Sequence, residues 1–168
     1  ASQGPLWSYG GERGLYKTTD GGKTWNNTLE IDEWTGVTDL LIDPRNPDVL
    51  YCASWQRHRN VASYIGGGPG TSIYKSTDGG DNWTKINKGL PSSNIGKIGL
   101  AISPINPDVV YAAIEKERRK GAVYRSANAG GSWKKMSETV SAGTGPHYYQ
   151  ELVASPHKFD KIYLMNVR

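Results

Sequence analysis

The sequence predicts an all-β protein made of four-stranded antiparallel meanders, the blades of a β-propeller, about three blade-equivalents in all. Three observations carry this. A glycine box returns three times, as "TTDGGKTW" at 18–25, "STDGGDNW" at 76–83 and "SANAGGSW" at 126–133. The composition holds 21 glycines, with 6 tryptophans and 10 tyrosines against one phenylalanine, which favours short aromatic strands and tight turns over helices. The third is that the strand and turn signals recur in one order, with box tryptophans 58 and 50 residues apart, a spacing close to that of propeller blades.

Each period opens with an alternating strand, a proline turn and a second strand: "DLLIDPRNPDVLYCAS" from Asp39, "GLAISPINPDVVYAAI" from Gly99, "ELVASPHKFDKIYLMN" from Glu151. Proline presets φ for such a turn, and Asn and Asp tolerate its geometry. In all three, an aspartate (Asp48, Asp108, Asp160) precedes a tyrosine by three residues. A third strand then runs into the glycine box, in "GLYKTTDGG", "SIYKSTDGG" and "AVYRSANAGG", and the box tryptophan opens a fourth. On this pattern residues 1–30 form the later part of one blade, 37–87 and 97–137 two blades, and 148–168 the first two strands of another, all within one propeller domain. Closed propellers have about four to eight blades, so the chain is expected to be part of a larger ring.

The box residues are Thr18, Asp20, Gly22 and Trp25; Ser76, Asp78, Gly80 and Trp83; Ser126, Asn128, Gly130 and Trp133. An acidic residue beside paired glycines could hold a metal or shape a hairpin. The carboxylate can accept backbone N–H groups, the glycines allow positive φ, and the hydroxyl adds a bond across the hairpin. Asn128 replaces aspartate in the third copy, and each box has one or two carboxylates where calcium loops need several. The box is therefore read as structural, with no metal and no cofactor.

The formal net charge of +4 is mild and dispersed, so no nucleic-acid partner is expected, and the basic cluster at 116–120 reads as a solvated loop. No apolar run reaches the roughly 18 residues of a membrane span, so membrane insertion is not expected. Cys52 stands alone in an apolar run and reads as a buried small hydrophobe.

"TTDGGKTW" and "STDGGDNW" match the Asp-box, or BNR-repeat, pattern of Ser/Thr-x-Asp-x-Gly-x-Thr-Trp, with Asn82 at the Thr position of the second. The chain resembles the Asp-box propeller superfamily, which includes sortilin-like receptors, sialidases and xyloglucan-hydrolysing glycoside hydrolases. Over nearly its whole length, through "ASWQRHR", "GGGPGTSIYKSTDGG" and "GPHYYQ", it is similar to secreted bacterial sortilin-like or glycosyl-hydrolase-like BNR-repeat proteins. The resemblance implies an extracellular, periplasmic or cell-surface location and a non-catalytic binding or scaffold module. Its ligand would be a protein or glycan, and the remaining blades of a parent chain would be its other partners. The alternative it implies is part of a glycoside hydrolase, either xyloglucanase-like, using two aspartates across a cleft, or sialidase-like, using an arginine triad with a tyrosine and carboxylates.

In a four-stranded blade the proline turns and glycine boxes fall on one face, and the more variable loops on the other, where function is expected. The richest is "WQRHRNVASYIGGGPG", with Trp55, Arg57, His58, Arg59 and Tyr64 before a glycine run able to approach a ligand closely. Arg57 and Arg59 share a side if the strand continues, and could grip a carboxylate or sulfate, or pair with Asp32 and Glu33. Trp7, Trp34 and Tyr64 could stack on sugars or cover loop bases. Glu115, His147 and Tyr148 complete the ligand-binding candidates; Asp32, Glu33 and Glu115 are the acids on these loops, and no catalytic residue is assigned.

Overall fold

The computed structural model describes residues 1–92, 94–117, 120–139 and 150–165. These residues hold strands and no helix. The strands are β1 (Leu15–Lys17), β2 (Asn26–Leu29), β3 (Thr35–Asp43), β4 (Asn46–Gln56), β5 (His58–Arg59), β6 (Tyr64–Ile65), β7 (Gly67–Gly68), β8 (Ile73–Ser76), β9 (Thr84–Lys85), β10 (Ile95–Gly96), β11 (Ile98–Ile102), β12 (Val110–Glu117), β13 (Lys120–Ser126), β14 (Lys134–Ser137), β15 (Leu152–Ala154) and β16 (Ile162–Leu164). Two four-stranded meanders, β3-β4-β8-β9 and β11-β12-β13-β14, lie between the two-stranded sheets β1-β2 and β15-β16. Every pairing is antiparallel. The chain is all-β, as the aromatic, glycine-rich composition predicts.

Strand alternation decides how the sheets stack. On β12, Val110, Ala112 and Ile114 pack with Tyr51, Ala53 and Ile73 of the preceding sheet, while Tyr111 and Ala113 face Leu152 on the next one. On β4, Cys52 turns the other way from Tyr51 and Ala53, toward Leu15 and Val37. Both central sheets are thus buried on two faces, which is why their second strands read as nearly continuous apolar runs. Each fully buried Ile or Val in these layers stabilises the stack by about 1.5–3 kcal/mol. Cys52 is buried, and burial pushes its thiol up to about 12, so it behaves as a small hydrophobe and not a nucleophile.

The glycine turns close locally. Thr18 Oγ1 accepts the Gly22 N–H at 2.9 Å, and Asp20 Oδ1 accepts those of Lys23 and Thr24 at 2.9 and 3.0 Å. Ser76 and Asp78 repeat this with Gly80, Asp81 and Asn82. Gly22, Gly80 and Gly130 all adopt φ of 86–88°, the left-handed region that a side chain would strain. In the third copy Asn128 Oδ1 still accepts the Ser132 N–H, but its amide now donates to Ser132 Oγ, where Thr24 donates to Asp20. One bond has reversed polarity and the turn survives.

These turns also lock sheet to sheet. Trp133 Nε1 donates to Ile86 O at 2.7 Å on the preceding sheet, and Arg45 bridges Asp43 to Asp108 on the following one. Arg125 and the Tyr111 hydroxyl both donate to Asp160. Trp133 is 5% exposed, whereas Trp25, whose Nε1 donates within its own turn to Gly22 O, is 58% exposed.

Candidate functional site

The loop face opposite the glycine turns is assembled around a buried arginine. Arg13 donates to the carbonyls of Gln3, Pro5, Ser8, Gly10 and Trp34, which folds residues 3–13 into a compact loop that presents Trp7 and Tyr9. Burial lowers its guanidinium from the ordinary value, with Arg57 adding to the fall and Asp32 opposing it. In the sequence Arg13 is marked only as a lone arginine closing a glycine- and proline-rich loop, "GPLWSYGGERG".

Strand β4 ends at Gln56, and the chain turns at Arg57 into the short β5-β6 hairpin. Arg57 and Arg59 therefore reach different rings. The Arg57 guanidinium lies 5.1 Å from the Trp55 ring centre, and that of Arg59 lies 5.2 Å from Trp7. Trp55 is buried and donates Nε1–H to Gly66 O at 2.8 Å. Trp34 sits between Tyr9 (ring centres 5.8 Å apart) and His58 (4.2 Å), both edge-on. Tyr64 lies opposite Arg59 in the hairpin and is 41% exposed, with its ring against Gly66. These residues form one partly open aromatic surface, with Trp7 and Tyr9 58% and 66% exposed.

Two expectations are corrected. Arg57 does not pair with Asp32 or Glu33: Asp32 is used by the Trp34 N–H and the Thr35 hydroxyl, and Arg57 Nη2 donates to Gly4 O at 3.3 Å. The glycine run approaches its own chain, not open space. Gly67 and Gly68 pair with Gly96 and Ile95, and a methyl group at Gly67 would lie 2.6 Å from Ile95 O.

Beneath the aromatic surface is a charged layer between the sheets. The Lys97 ammonium lies 5.9 Å from the same Trp55 ring, and burial lowers its proton affinity while Glu151, Asp39 and Glu115 partly restore it. Glu115, at the end of β12, packs its carboxylate against Gly96, and burial raises it to about 7 despite the Lys97 backbone N–H and ammonium. Asp39 spans the two sheets by accepting the Leu100 N–H at 2.8 Å, and burial raises it as well. Among the described residues no carboxylate forms an ion pair with Arg57 or Lys97. Arg57 Nε and His58 Nδ1 are buried without a hydrogen-bond partner.

Of the predicted site residues, Trp34, Trp55, Arg57, His58, Arg59 and Tyr64 come together, and Glu115 joins them through Lys97. Asp39 and Lys97 were not foreseen; a charged residue inside an apolar strand run, as in "TGVTDLLI" and "IGKIGLAI", was the available signal. His147 and Tyr148 lie outside the described residues. A separate cleft of about 340 Å³, lined by Thr71, Ser72, Asn87 and Asn94, contains none of the predicted residues. No group of three or more potential metal ligands occurs among the described residues.

No family model matches the chain. A xyloglucanase of Paenibacillus sp is 25% identical over 148 residues, 78% of this chain and 13% of that protein. Xyloglucanase Xgh74A of Acetivibrio thermocellus is 26% identical over 142 residues, again 78% of this chain and 16% of that protein. Among solved structures, the GH74 enzyme of Niastella koreensis superposes with a TM-score of 0.63 at 22% identity, covering 89% of this chain and 23% of that one. The GH74 xyloglucanase of Xanthomonas campestris gives 0.63 at 17% identity, covering 89% and 22%. The likeness places the chain in the same propeller fold, and the chain spans 13–16% of the length of these two curated relatives. These relatives are glycoside hydrolases. They support the hydrolase alternative in the sequence and lend nothing to the sortilin-like scaffold reading.

Proposed function

We propose that this chain is a wall segment of a glycoside-hydrolysing β-propeller, completed by further blades, whose loop face holds a β-glucan of the xyloglucan type. The observation that carries the reading is the placing of an aromatic platform, exposed Trp7 and Tyr9 with half-buried Trp34, on the same face as a half-buried carboxyl, Glu115, held near neutrality. Aromatic faces bind the apolar faces of sugar rings, and a carboxyl group that keeps its proton at neutral pH can deliver it to a glycosidic oxygen. Glycoside hydrolysis pairs such an acid with a second carboxyl across the scissile bond. In this reading Glu115 is the acid and the second carboxyl comes from elsewhere in the ring. A polysaccharide substrate is too large to enter a cell, which fits an extracellular or cell-surface site of action.

The test is release of reducing ends from xyloglucan by the full-length protein. Glu115→Gln is expected to lower kcat by about 10²- to 10⁴-fold, and Trp34→Ala to raise KM with a smaller change in kcat. Binding of xyloglucan without any turnover would overturn the hydrolase reading and return the segment to a scaffold role.

A further inference from the structure

The Arg57–Trp55–Lys97 layer has a feature that a platform for neutral sugars does not need. Two cations share one ring, with the Arg57 guanidinium at 5.1 Å and the Lys97 ammonium at 5.9 Å. Both are partly desolvated, and burial lowers the proton affinity of each. Structural cations in such a position are normally matched by a carboxylate or by carbonyls, as Arg13 is by five carbonyl bonds a short distance away. Arg57 has one long bond to Gly4 O, its Nε–H is buried without an acceptor, and no described carboxylate pairs with it. The neighbouring His58 Nδ1 also lacks a partner, and His58 packs on Trp34 of the aromatic platform. A buried donor without an acceptor is costly unless a ligand supplies one.

We propose that Arg57 and Lys97, stacked on Trp55, bind the carboxylate of an acidic sugar, a hexuronate, within a glycan lying on the Trp7–Tyr9–Trp34 platform. A planar carboxylate offers two oxygens to the forked N–H groups of a guanidinium, while the ammonium adds a point charge from the other cation on the ring. The nearby acids leave room for it. Asp39 is committed to the Leu100 and Leu40 N–H groups, Glu115 lies by the Lys97 backbone and carries a proton part of the time at neutral pH, and Glu151 is exposed. The inference rests on the glycan reading of this face and specifies which glycans it selects.

Titration calorimetry on the full-length protein tests it, with a trigalacturonate, a trisaccharide bearing a glucuronate branch, a neutral xyloglucan oligosaccharide and a sulfated neutral trisaccharide as probes. One of the uronate sugars is expected to bind about tenfold or more tighter than the neutral and sulfated ones. Arg57→Lys, and independently Lys97→Gln, are expected to erase that preference, with unchanged thermal midpoints reporting intact folding. If Arg57→Lys fails to fold, the Lys97→Gln result decides. Neutral sugars binding as tightly as uronates, or a preference that survives both substitutions, would overturn the inference while leaving the glycan reading in place. A sulfated sugar binding tightest would overturn the carboxylate assignment. Binding of none of the four would remove the glycan reading and the inference together.

Discussion

The two ends of the central sheets, the glycine-turn side and the loop side, are built by opposite rules. On the glycine-turn face the box hydroxyls and the box Asp or Asn bond only to residues two to four positions away, as Asp78 does with Ser76, Asp81 and Asn82, and the tryptophan and proline-turn arginine add the reach to the next sheet. On the loop face the partners are distant: Arg57 reaches Gly4, Trp34 packs on His58, and Asp39 reaches Leu100. The first face satisfies its polar groups within a turn and repeats. The second leaves Arg57 Nε and His58 Nδ1 unsatisfied and shifts its charges by burial. Local closure makes architecture that tolerates variation, and incomplete closure marks a surface that has something still to bind.

The strongest way to break this contrast is Trp55→Ala, because Trp55 belongs to the core while its ring supports both cations. Loss of a buried tryptophan costs about 3–5 kcal/mol of unfolding free energy, readable as a shift of the denaturant midpoint. Trp55→Phe keeps most of the packing, loses the bond to Gly66 O, and is expected to cost distinctly less.

On the turn face the hydroxyl matters more than the charge. Ser76 is buried and its Oγ accepts the buried Gly80 N–H, so Ser76→Ala is expected to cost about 1–3 kcal/mol. Asp78→Asn is expected to cost less than Ser76→Ala in the same assay, since the third copy already uses Asn128 and Asn82 can rotate its amide to present an oxygen. If Asp78→Asn proves the more damaging, the turn depends on charge and the structural reading of the box fails.

Titration separates the faces by sign. Glu115 is raised in the folded chain, so its contribution to stability is fully present below about 4.5 and is lost as pH rises through about 7. The charged groups around it are Lys97 directly, with Arg57, Asp39 and Glu151 grouped around Lys97. Asp20 is lowered to about 2 by the Thr24 hydroxyl and neighbouring N–H groups, so its contribution is present above about 3.8 and lost as pH falls through about 2. Glu115→Gln is therefore expected to flatten the stability profile between pH 5 and 8, by about 1 kcal/mol once solvent screening of a partly exposed group is allowed for. An unchanged slope in chemical denaturation across that range would show that Glu115 keeps an ordinary carboxyl.

The glycine turns could be read from residues 18–25 alone, because hydroxyl, carboxylate, glycine and tryptophan meet within one hairpin. The aromatic members of the loop face were legible as types in a variable loop, but their grouping was not. Arg57 and Arg59 looked like one pair along a continuing strand, and the break after Gln56 sends them to separate rings. Asp39 and Lys97 show only as charges inside apolar strand runs and Arg13 only as a lone arginine in a glycine-rich loop, signals too weak to separate a charge that will be buried from one that will be solvated.

By itself, then, the sequence determined what depends on short-range geometry: strand periodicity, turn chemistry, the three-fold recurrence and the all-β class. Only the tertiary structure decided which charges lose their water. Desolvation depends on how two sheets and two loops close around Trp55, and the groups that meet there, from Gly4 to Glu151, come from nearly the whole length of the chain.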